Sequence, residues 1–118
     1  MKTSFVILLL TCAAAIASPT KDQLIGHWGY GDEKLGSEHT FRADGTFTGT
    51  VIEDGKVAWR YVGKWSLVGD ILNYEYTESS LERIPVGTTD RDKLIEITKD
   101  YYIIEARDGS RRKYSRVK

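Results

Sequence analysis

The chain has 118 residues, with 17 Lys plus Arg against 17 Asp plus Glu, 2 His and 1 Cys. The length holds a single domain, and the balanced charge excludes a general electrostatic footprint for nucleic acid. A lone Cys excludes an intrachain disulfide framework, and two scattered histidines make no metal site.

Residues 1–17, "MKTSFVILLLTCAAAIA", read as a secretory signal. Lys2 supplies the positive start, an apolar run begins at Phe5, and Ala15-Ile16-Ala17 is a small-x-small cleavage site. Cleavage after Ala17 makes 18–118 the mature domain, beginning Ser18-Pro19, and places it outside the cytoplasm, periplasmic or secreted. The apolar run is too short to span a membrane, and no second run follows. Cys12 opens an alternative. "LLTC" resembles a bacterial lipobox, with Thr11 where a smaller residue is usual. On that reading Cys12 carries a lipid and anchors the protein to the cell envelope, the one case in which a membrane is a partner.

From residue 24 onward the pattern alternates, and Asp-Gly pairs at 44–45, 54–55 and 108–109 and Gly69-Asp70 punctuate it. Asp-Gly between alternating runs is a hairpin signal, because both residues tolerate positive φ. The pattern predicts eight strands at 24–31, 36–43, 45–53, 57–67, 70–77, 88–98, 101–106 and 110–117, with one longer loop at 78–87. Alternation assigns one inward face. In the fourth strand it comprises Val57, Trp59, Tyr61, Gly63, Trp65 and Leu67. Phe47, Gly49 and Val51 point inward from the third strand, and Leu72, Tyr74 and Tyr76 from the fifth. Ile95 and Ile97, Tyr102 and Ile104, then Arg112, Tyr114 and Arg116 complete the face. With no amphipathic helix to cover it, the sheet must cover itself. The expected fold is all-β, an eight-stranded antiparallel up-and-down barrel, just wide enough to be filled by side chains or to hold one small ligand.

Gly26-His27-Trp28, the "GKWSLVGDIL" segment at 63–72 and the terminal Tyr114-Ser115-Arg116 resemble the lipocalin-like (calycin) superfamily. The resemblance implies that Trp28 plugs the barrel floor and that Arg116 closes over it. Strand counting agrees, since an eighth strand returns to the end where the first begins. Gly26 is then the third member of the floor, allowing close backbone approach.

No spacing of Ser, His and acid, and no free mature Cys, supports nucleophilic catalysis. No cofactor motif is present, and the chain is expected not to be an enzyme. His27 alternates outward. His39 faces in, where a lone His is more often a packing residue than a general base. Carboxylates in "DRDKLIE" at 90–96 read as solvated. Tyr30, His39, Trp59, Tyr76 and Arg112 lie inward near the upper end, an aromatic wall with a few polar groups suited to a small amphipathic ligand. Arg112 and Tyr114 share a face two residues apart. That arrangement resembles the last strand of fatty-acid-binding barrels and implies a ligand carboxylate held by the guanidinium fork and the phenol. Two alternatives leave Arg112 in water at the mouth, or paired with Glu75 or Glu105. The expected function is therefore a non-enzymatic exported module for small-molecule binding or cell-envelope support, with amphipathic anions as candidate ligands. The other reading rests on "LIGHW", similar to the first strand of small exported barrels that inhibit metalloproteases. It implies that the segment 18–23, "SPTKDQ", enters a protease cleft.

Overall fold

The computed structural model describes residues 18–117. Residues 1–17, with the expected signal and the alternative lipidation at Cys12, lie outside these residues. A short helix, α1 (Lys21–Leu24), precedes the strands β1 (Gly26–Gly31), β2 (Leu35–Phe41), β3 (Thr46–Glu53) and β4 (Lys56–Val68). The second half comprises β5 (Ile71–Ser79), β6 (Thr89–Ile97), β7 (Tyr101–Glu105) and β8 (Arg111–Arg116). Each strand pairs antiparallel with the next, and β8 pairs back onto β1, closing an eight-stranded up-and-down barrel. Closure gives every strand two neighbours and so covers most of the sheet edge.

The chain enters the barrel later than the expected start at residue 24. Thr20-Lys21-Asp22-Gln23 matches the capping pattern T-x-x-Q, and the Thr20 amide donates to Gln23 Oε1 at 2.8 Å. This turns Lys21–Leu24 into a single helical turn that tucks Leu24 fully into the core. The core is the inner face: Leu24, Trp28, Phe41, Phe47, Leu72 and Ile104 are among its buried residues.

Register shifts occur at three places, and two of them overturn expected facings. Between β3 and β4, Val51 opposes Trp59 while Ile52 opposes Val57, so Ala58 is an extra residue. The shift turns Val57 outward, where it is 43 % exposed. Between β6 and β7 the register slips between Leu94 and Glu96. Leu94, not Ile95, is therefore buried in the core, while Ile97 still packs against it. A bulge adds one residue on one side of the ladder, which reverses the in-out parity beyond it. The third shift, between Val62 and Gly63, leaves Tyr74 and Tyr76 packed against the core as alternation predicts.

The seam between β1 and β8 is short. Among the described residues its ladder pairs are Trp28–Arg116 and Gly29–Ser115, and the Val117 amide donates to the His27 carbonyl at 2.8 Å, all at the floor end. Above them the two strands meet through rings, with the Tyr30 and Tyr114 centroids 5.3 Å apart.

Candidate functional site

The floor is built from three chain segments. Trp28 is fully buried and its indole Nε1–H donates to the Leu24 carbonyl at 2.9 Å. The Arg116 guanidinium carbon lies 4.0 Å from the centre of the Trp28 ring. Its nitrogens donate to the carbonyls of Lys99 (2.7 Å), Ile25 (3.1 Å) and Gln23 (3.2 Å). Arg116 is thus a clamp joining α1, the β6–β7 turn and the Trp28 face. Gly26 has φ +138°, and a Cβ there would collide with the Arg116 guanidinium. Any other residue would push the clamp off the ring and adopt a disfavoured backbone.

The segment 18–23 is attached to this floor. Lys21 Nζ sits 5.4 Å from the centre of the Trp65 ring, and Arg116 holds the Gln23 carbonyl. Among the described residues, 18–20 precede the helical turn.

Above the floor lies a cavity of about 180 Å³. It brings together all six residues expected there: Tyr30, His39, Trp59, Tyr76, Arg112 and Tyr114. Tyr30 is 46 % exposed and forms the rim. Trp59 Nε1–H donates to Ser79 Oγ at 2.9 Å, and its ring lies 4.3 Å from that of Tyr61. A Cβ on Gly49 would occupy the Tyr61 ring, so this glycine gives that ring its place. Every tyrosine except Tyr101 lines the cavity.

His39 is 7 % exposed, and its Nε2 is hydrogen-bonded to the Tyr102 hydroxyl. Burial, helped by the charge of His27, lowers its pKa to about 3, so the ring is neutral at ordinary pH. His27 itself faces outward and meets Glu38 at 2.8 Å.

Asp90 and Asp92, expected in solvent, line the cavity instead. Both share parity with Leu94, whose burial fixes the facing of β6 ahead of its bulge. The Tyr74 hydroxyl donates to Asp92 Oδ2 at 2.9 Å. Burial raises the pKa of Asp92, with the neighbouring Asp90 charge adding to it. Asp90 is met from outside by Arg107 Nε at 3.3 Å. The same pair of acids, after burial, pushes Tyr76 up to about 12. Burial also holds Tyr74 and Tyr102 well above the usual phenol range, so these hydroxyls are neutral donors.

Arg112 lines the cavity and is exposed at its mouth. Its pKa is raised, first by its hydrogen bond to the Tyr114 hydroxyl oxygen. Neither Glu75 nor Glu105 is its partner: Glu75 is exposed on the outer face, and Glu105 bonds Arg111 at 3.2 Å. Sequence reasoning found the aromatic wall and the Arg112–Tyr114 pair but missed Asp90, Asp92, Ser37 and Ala106, which also line it. No protein-family model, curated protein or solved structure matches the chain.

Proposed function

We propose that this protein is an exported, non-enzymatic, lipocalin-like module that binds a small amphipathic molecule in the mouth of its barrel. The observation that carries this reading is the cavity of about 180 Å³, walled by Tyr and Trp rings and carrying Asp90, Asp92 and Arg112 at its polar side. Aromatic rings that pack a ligand beside polar groups that orient it are what a small-ligand site requires, and here the polar share is large. The space is small beside the ~300–1,000 Å³ of ordinary ligand sites, which favours a compact ring-bearing molecule over a long acyl chain. The two acids disfavour a ligand that is only anionic, since like charges at close range repel.

The buried His39 is bonded to Tyr102 and its pKa is lowered to about 3, too weakly basic for a proton acceptor near neutral pH, which supports a packing role. The segment 18–23, pinned by Arg116 and Lys21, supports the lumen as the functional element over a protease-inhibiting arm. Export rests on the signal-like residues 1–17, and a lipid on Cys12 would add envelope anchoring.

Native mass spectrometry of the protein purified from its own host tests the reading. The expected result is a mature chain beginning at Ser18, or at an acylated Cys12, that retains a small non-covalent ligand. An intact Met1 would overturn export.

A further inference from the structure

The cavity holds both signs of charge, and Asp92 and Arg112 attract each other across it without closing into an ion pair. Asp92 projects from β6 and Arg112 from β8, the two strands that flank β7. Ala106, just beyond β7, lines the same space with a single methyl group. Among the described residues Arg112 makes no ion pair, and Tyr74 is the one hydrogen-bond donor to Asp92. Asp90 is already engaged by Arg107 and Glu105 by Arg111. That leaves a carboxylate with unused acceptor capacity and a guanidinium with unused donors, opening on one aromatic-walled space.

A purely anionic ligand would satisfy Arg112 and meet the carboxylate of Asp92. A purely cationic ligand would satisfy Asp92 and meet the guanidinium of Arg112. The anionic ligand leaves the partly buried Asp92 facing a like charge, which is costly, and the cationic one leaves the guanidinium fork of Arg112 unused beside a like charge. A ligand carrying both charges on a short spacer satisfies both groups and brings no net charge into the barrel. The surrounding rings add a face for a cation and edges for an aromatic body.

Resting on the small-ligand reading above, we infer that the site takes a small zwitterion with an apolar ring, such as a free aromatic amino acid. Its ammonium lies at Asp92, its carboxylate at Arg112 and Tyr114, and its ring lies against the tyrosines and Trp59. Tyr114 acts as a neutral donor beside the guanidinium fork.

Calorimetric titration with three probes tests this: L-phenylalanine, phenethylamine (which lacks the carboxylate) and phenylpropionate (which lacks the amine). Phenylalanine should bind roughly tenfold or more tighter than either, the ratio expected from one charge-assisted hydrogen bond. Asp92→Asn should reduce phenylalanine to the affinity of phenylpropionate without weakening phenylpropionate. Arg112→Gln should reduce it to the affinity of phenethylamine, and this variant sits at the exposed mouth, where folding is not at stake. Preference for either singly charged probe, or an Asp92→Asn protein that binds phenylalanine as well as wild type, overturns the zwitterion and leaves the cavity as a binding site. Failure of all three probes also overturns the zwitterion, and the broader reading is then decided by the ligand mass retained from the host.

Discussion

Trp28 and Arg116 couple packing to electrostatics at the barrel floor. Trp28→Ala should lose about 3–5 kcal/mol by leaving an aromatic-sized cavity. Arg116→Ala should lose less, and part of its cost should vanish in the Trp28→Ala background, because the guanidinium stacks on that ring. A double-mutant cycle in urea reads the coupling, and strict additivity would contradict the clamp. His39 makes a second residue-scale prediction. Its folded pKa is about 3 against 6.5 for an unperturbed ring. The unfolded chain therefore binds the extra proton between those values. Stability from the neutral ring is complete above pH 6.5 and is lost progressively as the pH falls toward 3. Replacing it in His39→Gln should flatten this slope, which amounts to several kcal/mol in order of magnitude at ~1.4 kcal/mol per pH unit. Asp92, with its raised pKa, opposes the trend: its contribution is full at low pH and lost as the pH rises through its folded pKa. Unfolding free energies across pH 3.5 to 6.5, wild type against variant, check the sign. Much at this scale was legible from alternation alone, since Tyr30, His39, Trp59, Tyr76, Arg112 and Tyr114 do line one space. Asp90 and Asp92 were hidden because a mixed-charge strand start normally faces water, and only the burial of Leu94 reveals their parity.

Among the elements, β6 distinguishes pattern from structure most sharply. Its run Leu94-Ile95-Glu96-Ile97 fits two facings equally well, and the register slip between Leu94 and Glu96 decides between them. Leu94→Ala should cost about 2–5 kcal/mol, the range for a truncated core leucine. Ile95→Ala should cost clearly less, and the reverse order in thermal melts would restore the unbulged register. The β3–β4 pair makes a parallel case. Gly49→Ala should displace the Tyr61 ring and destabilise by roughly 1–3 kcal/mol, as overpacking does. The bulges and α1 were not legible from periodicity, because each depends on one extra residue or one capping bond rather than on a repeat. The turns were legible, since Asp-Gly at 44–45, 54–55 and 108–109 falls between β2 and β3, β3 and β4, and β7 and β8.

At the scale of the molecule, the closed barrel follows from one broad aromatic face with no helix to cover it. Eight sequentially paired strands, joined by tight turns except for the longer β5–β6 loop, leave closure as the way to bury that face. The interior is then divided. The lower half is filled by Leu24, Trp28 and Leu72, and Phe41 and Tyr102 stand between this packing and the cavity of the upper half. The central claim is that this upper space binds a small molecule. Saturation-transfer NMR with a library of small aromatic fragments, run on wild type and on Ala106→Phe, tests it most directly, because the larger side chain fills the space between β6 and β8. Fragments that receive saturation from wild type and lose it in Ala106→Phe are the result expected. A fragment profile identical in the two proteins, with Ala106→Phe folded by its amide spectrum, would contradict the claim.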